Sequence, residues 1–223
     1  MKRTVIGAMT LLVVGTVGVG VRAQVSNQQT DRIRASAEVL AEVRGEPDKD
    51  IPRDLWRKAQ CVVVIPSLKK AAFGIGGEYG KGVMSCRANG QFGAPVFMKL
   101  EKGSWGFQIG GESIDLVLLV MNPSGMKKML GDKTSLGADV SVAAGPIGRN
   151  AAASTDARMN AEILSYSRAQ GLFAGIDVSG GVLRPDRDAN RDLYGHEISA
   201  REILSGGTRP PDATRAFMAA LRR

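Results

Sequence analysis

The chain of 223 residues has one histidine, His196, and two cysteines, Cys61 and Cys86. A structural zinc site built from so few soft ligands would need carboxylates to complete it, so a zinc-stabilised fold is not expected. Aromatic residues make up 5% of the sequence and the basic residues are scattered. That leaves no stacking platform for a single strand and argues against a nucleic-acid partner. The G-x-S-x-G elbow and the H-E-x-x-H helix are both missing. No nucleophile with its base and no cluster of metal ligands can be picked out, so neither catalysis nor a cofactor nor a metal is expected.

What is abundant is glycine, with 28 residues, and apolar residues at 43%. The second figure provides for a buried core; the first favours a turn-rich β protein over a helical bundle. Residues 1–23 are read apart from the rest. Lys2 and Arg3 precede an uncharged apolar run from Val5 to Val21, and Val21-Arg22-Ala23 ends in the pattern a signal peptidase reads. This predicts a signal peptide cut before Gln24 and an exported, periplasmic or cell-envelope location. An uncleaved anchor is the rival, although four glycines and fewer than the ~20 residues of a span count against it. Removing Lys2, Arg3 and Arg22 from the 30 basic residues leaves 27 against 22 acids, a net charge of +5. In an oxidising compartment the two cysteines are expected to form a disulfide.

Residues 24–30 are polar and read as a flexible tether, residues 31–205 as one domain, and 206–223 as a C-terminal amphipathic helix. Ile33, Ala37, Leu40 and Val43 recur at helical spacing, and a short second helix follows Asp50. From Cys61 the period becomes that of strands: CVVVIP, AAFGIGGEY, GVMSCR, APVFMKL, GSWGFQIGG and SIDLVLLVMN. A short helix is expected after Asn122-Pro123, more strands through Pro185, and a helix over DRDANRDLYG. Residues 151–160 read as loop or short helix. The fold class is α+β: a glycine-rich antiparallel β core, meander or barrel-like, flanked by N-terminal and C-terminal helices.

Residues 69–82, KKAAFGIGGEYGKG, raise the question of a phosphate loop. A Walker A loop ending at Gly80-Lys81 would need glycine in place of Ile75 and a hydroxyl in place of Gly82. A dinucleotide loop from Gly74 and Gly76 would need glycine in place of Tyr79. Both fail, and a hairpin turning over Glu78 to Gly82 is expected instead. Two acids, Asp115 and Asp139, sit inside apolar strands and read as buried. Such a group is either a structural ion pair or a catalytic acid, and nothing nearby favours the second. Lys69, Lys70, Lys81, Arg87, Lys99 and Lys102 fall near expected strand ends. Gathered in space they would form a cationic rim for lipid phosphates; otherwise they are a solvated edge.

Four blocks carry a wider likeness: CVVVIPSLKKAAFGIGGEYGKGVMSCR, GSWGFQIGGESIDLVLLVMN, LGADVSVAAGPIGR and ILSYSRAQGLFAGIDVSGGVLRPDRDANRDLYG. In this order they resemble the SYLF domain family over roughly Arg32 to Gly195. The resemblance implies a lipid-binding module, described in eukaryotic members as recognising phosphoinositides, on a β-rich core with flanking helices. Some fungal members also bind and bundle actin. The family is not known for enzymes. The export signal and the missing Src-homology-3 domain depart from many eukaryotic members, so actin is not carried over. Anionic phospholipid or a membrane surface is the expected partner. A structural or scaffolding protein that binds another envelope protein is the alternative.

Overall fold

Residues 25–43, 51–73, 75–105, 110–147, 160–169 and 172–222 are described by the structure, a computed structural model. The expected signal segment and most of 151–160 lie outside them. Helix α1 spans Asn27–Glu42. Its start is a capping box: the Gln29 amide donates to Ser26 Oγ at 3.3 Å, and the Ser26 amide donates to Gln29 Oε1 at 2.9 Å. Residues 27–30 are therefore the first helical turn and not a tether, because Ser-x-x-Gln satisfies the free amides there. Helix α2 is Arg53–Lys58, with Leu55 and Trp56 buried.

Among the described residues ten strands follow: β1 Cys61–Phe73, β2 Ile75–Ala88, β3 Gln91–Phe92, β4 Val96–Trp105, β5 Gly110–Val120, β6 Thr134–Ser135, β7 Val142–Ala144, β8 Ile163–Ala169, β9 Leu172–Gly175 and β10 Val182–Pro185. Their order is β6-β10-β4-β2-β1-β5-β8-β7, with β3 beside β2 and β9 beside β8. Every pairing is antiparallel except β7 with β8. The α+β expectation holds, with a mixed sheet in place of a purely antiparallel one. Helices α3 Pro123–Met129, α4 Arg187–Tyr194, α5 Ala200–Glu202 and α6 Arg215–Arg222 are also described, with a π-helical turn at Ile203–Gly207 and a 3-10 turn at Asp212–Thr214 between the last two. The C-terminal helix is thus shorter than 206–223. Gly206, at φ 92°, and Pro210-Pro211 keep the preceding stretch out of the helix.

Alternation along the strands feeds two cores, one on each side of the sheet. Val62, Val64, Val83, Phe97, Val117 and Leu119 meet Ile33 and Leu40 of α1 and Phe217 and Leu221 of α6. The apolar faces of both terminal helices are therefore spent on packing. Val63, Ile65, Met84, Met98, Leu116 and Leu118 form the other core with Met129 of α3 and with Ile203. Burial on both faces explains the unbroken apolar runs of β1 and β5.

The expected turn over Glu78 to Gly82 lies inside β2, and the β1–β2 ladder runs on to Phe73 opposite Ile75. The misreading comes from a β-bulge. Pro66 and Ser67 together oppose Asp115, between the pairs Ile65–Leu116 and Leu68–Ile114. Ser67 sits at φ 53°, and its amide donates to Asp115 Oδ1 at 2.9 Å. The bulge leans Ile65 and Leu68 across β2, where a Cβ on Gly80 would lie 2.4 Å from Ile65 Cγ2. The glycines of β2 make room for β1; they do not turn the chain.

Cys61 and Cys86 face each other in the β1–β2 register and are joined as a disulfide, fully buried. The bond spans a sequence separation of 25. Loop closure of that length corresponds to about 3 kcal/mol of stability in the chain-entropy account. Cys61→Ser/Cys86→Ser is expected to lose about that much in urea denaturation, and thiol titration of the unreduced, denatured chain is expected to find no free thiol.

Candidate functional site

The six cations singled out from the sequence do not form one rim. Lys69 and Lys70 are neighbours on β1 and so belong to opposite faces. Lys69 is in register with Tyr79, and Tyr79 with Glu101. Lys70 is in register with Glu78, and Glu78 with Lys102. Lys81, Lys99 and Arg184 make a third row across β2, β4 and β10. Long strands, formed where short ones were expected, place Lys69, Lys70, Lys81 and Lys99 within strands and not at their ends.

Two of the six are committed elsewhere. Lys99 Nζ lies 3.0 Å from Asp186 Oδ1 in a mostly buried ion pair. Arg87 donates to Ala59 O at 3.0 Å and to Gly90 O at 2.9 Å, and its guanidinium lies 4.2 Å from the Phe92 ring centroid. Six residues separate it from Lys81 along β2, about 20 Å of strand. Arg87 fastens the far end of the sheet.

Of the other four, Lys102 alone lines a shallow cleft of about 450 Å³, together with Glu78, Tyr79, Glu101, Lys133 and Arg184. Glu101 and Arg184 form an ion pair across β4 and β10. Lys102 and Lys133 add positive charge beside the exposed ring of Tyr79. The sequence reading missed Lys133, which lies between α3 and β6 and is remote from every other lysine of the group. Its only signal was the turn-like Gly131-Asp132-Lys133. With Glu78 and Glu101 set against Lys102, Lys133 and Arg184, the cleft carries a small excess of positive charge.

The two acids have structural explanations. Asp115 is half-buried; it caps the bulge and meets Arg168 Nη1 at 3.4 Å, while Arg168 also pairs with Glu42. Asp139 is exposed, contrary to expectation, in the turn between Leu136 and Val140. It accepts the Ser135 amide at 2.6 Å, and hydrogen bonds from Ser135 hold its carboxyl below the usual range. Glu162 accepts from Lys128 at 2.7 Å and Ser124 at 2.6 Å, which lowers its pKa to about 2. His196 is exposed, with Nδ1 3.0 Å from Tyr194 O. No group of three or more metal-binding side chains occurs among the described residues.

The described residues thus form a mixed sheet covered by helices on both faces, with a charged cleft at one edge. The Ysc84 family model, described as "Las17-binding protein actin regulator", matches residues 101–223, more than half of the chain. The chain belongs to this Ysc84, or SYLF, family. LAS seventeen-binding protein 3 of Saccharomyces cerevisiae is 38% identical over 170 residues, which cover 74% of this chain and 37% of that protein. SH3 domain-containing YSC84-like protein 1 of Xenopus laevis is 34% identical over 193 residues, covering 82% of this chain and 57% of that protein. Its Homo sapiens counterpart is 33% identical over 170 residues, covering 75% and 49%. The chain thus spans about half, or less, of the length of these relatives.

Proposed function

We propose that this chain is a non-enzymatic module of the cell envelope that binds anionic phospholipid at a membrane surface. The observation that carries the proposal is the cleft where Lys102 and Lys133 stand beside Tyr79, with Lys69 and Lys70 in the adjoining strand. Each lysine near an anionic surface contributes about 1 kcal/mol. The buried disulfide suits an oxidising compartment and so supports export. Actin is not part of the proposal, since an exported chain does not meet it.

Co-sedimentation of the chain from Gln24 onward with vesicles is the test. Pelleting is expected with phosphatidylglycerol vesicles, with little on phosphatidylcholine alone and a sharp fall at 0.5 M salt, which shortens the screening length to about 4 Å. Lys102→Glu/Lys133→Glu is expected to weaken binding by about tenfold or more. Equal pelleting with both lipids, or none with either, removes the electrostatic reading. The family description, which names a protein-binding regulator, supports a second reading, a protein partner; in an exported chain that would be another envelope protein. Capture of one protein that survives high salt, without vesicle binding, would select it.

A further inference from the structure

Most open strand edges among the described residues are blunted. Strands β3 and β6 have two residues each, and β7 has three. Beyond Glu101 on β4 and before Asp115 on β5, one side has no neighbour among the described residues, and these stretches carry Lys102 and Glu112. Shortness and charge both discourage pairing with another chain. Strand β9, LFAG, is longer than the first three and has no charge. It pairs with β8 on one side, and no described strand lies on the other. Leu172, Ala174 and Gly175 are exposed, Leu172 at 60%.

The phase of the β8–β9 ladder decides which backbone groups face outward. The Ile176 amide, just past β9, donates to Ser165 O at 3.3 Å. Bonding residues alternate along an antiparallel strand, so Ala174 and Leu172 also turn their amides and carbonyls toward β8. Those of Phe173 and Gly175 point away from it, and no described backbone group pairs with them there. A second β9 matches this spacing when the two run antiparallel about Ala174. Phe173 then faces Gly175 of the other copy, and each such pair exchanges both of its backbone hydrogen bonds. On this face the bulkiest side chain of the strand meets the smallest. On the opposite face Leu172 meets Ile176 of the other copy, and Ala174 meets its own counterpart. The exposed leucine is thereby covered, and no like charges are opposed.

We propose that the outer edge of β9 pairs with the same edge of a second copy of this chain, which joins the two sheets across a two-fold axis at Ala174. So short a strand buries less than about 1,200 Å², the size of weak encounters, so a dissociation constant of about 10 µM to 1 mM is expected. Pairing is independent of lipid. Strands β2, β1, β5 and β8 lie between β9 and β4, which carries Lys102, so each copy keeps its charged cleft open.

Both native cysteines are in the disulfide, so a single introduced cysteine reports the register. Ala174→Cys sets two thiols across the axis, with Cα atoms about 4.5 Å apart, within reach of a disulfide. Leu172→Cys is the control. Its two copies stand four residues out of step, about 13 Å along the strand, although the site is well exposed. Under mild oxidation of the chain from Gln24 onward, Ala174→Cys is expected to form a covalent dimer at least about tenfold faster than Leu172→Cys. Sedimentation equilibrium of the parent chain is expected to show an average mass that rises toward the dimer with concentration. Ala174→Lys opposes two like charges at the axis and is expected to stay monomeric, with an unchanged urea midpoint as the control for folding. Cross-linking of Leu172→Cys as fast as Ala174→Cys overturns the proposal, and so does a dimer retained by Ala174→Lys. A parent chain still monomeric at about 1 mM overturns self-pairing and leaves the edge to a strand of a different protein.

Discussion

Replacing Asp186 by alanine is expected to cost about 3–5 kcal/mol, read as a fall in the urea midpoint at unchanged slope. Asp186 is 3% exposed. Its Oδ2 accepts from Arg32 Nη1 of α1 at 3.1 Å, and its Oδ1 faces Lys99 Nζ of β4 at 3.0 Å. The same carboxylate caps α4 through the Ala189 amide, and its own amide donates to Phe97 O at 2.9 Å. One side chain thus holds the first helix, a central strand and the fourth helix together. Removing it leaves the Arg32 guanidinium, 9% exposed and 4.7 Å from the Phe97 ring centroid, with its charge uncompensated. The penalty for an orphaned buried charge exceeds the worth of the pair itself. Arg32→Met in the Asp186→Ala background is therefore expected to recover part of the loss. A drop of less than about 1 kcal/mol for Asp186→Ala would refute the role.

The acid dependence follows from the same geometry. Burial raises the Asp186 pKa, but hydrogen bonds from Lys99 and Arg32 outweigh it and hold the carboxyl below its ordinary value of 3.8. A depressed folded value means that this stabilisation is fully present above about pH 4 and is lost as the pH falls through the folded pKa. Asp186→Asn should flatten the stability profile on that acid limb. The ion pair also sharpens the lipid question. Lys99→Ala should cost stability and leave vesicle binding in place, the reverse of Lys102→Glu/Lys133→Glu.

Helices and central strands were legible because period reports burial. Ile33 and Leu40 mark one face of α1, and the apolar runs of β1 and β5 mark strands covered on both sides. The cysteine pair was legible from composition and compartment, though only the β1–β2 register brings the two together. Three things were hidden for physical reasons. Asp115 and Asp139 look alike as single acids in apolar sequence, yet one satisfies an amide freed by a bulge and the other closes an exposed turn. The grouping of lysines depends on which strands pair and in what register, so a set adjacent in sequence was divided between two faces and Lys133 was missed. The run of glycines gave no means of choosing between a turn and a close approach of another strand.

Gly82 settles that last ambiguity by experiment. A Cβ there would lie 2.1 Å from Val64 O, 2.7 Å from Ile65 Cγ1 and 2.9 Å from Ile65 Cα. Two of these three atoms are backbone in the strand that carries the bulge, so neither a rotamer change nor a small side-chain shift relieves the clash. Gly82→Ala is expected to destabilise the chain by about 4 kcal/mol, above the usual range for overpacking, because the β1–β2 ladder itself must part. Gly80→Ala is expected to cost less, about 1–3 kcal/mol, since its nearest contacts, Ile65 Cγ2 at 2.4 Å and Leu68 Cδ1 at 2.7 Å, are ends of side chains. At Gly77 the nearest atom is Lys102 O at 3.7 Å, an ordinary contact. Gly77→Ala should therefore be neutral or stabilising by up to about 1 kcal/mol through the unfolded chain. Urea midpoints in the order Gly77→Ala, Gly80→Ala, Gly82→Ala, from highest to lowest, identify these glycines as room for a neighbouring strand. Equal and small losses at all three would mean that β1 does not lean across β2, and the bulge at Pro66-Ser67 would lose its role in shaping the sheet.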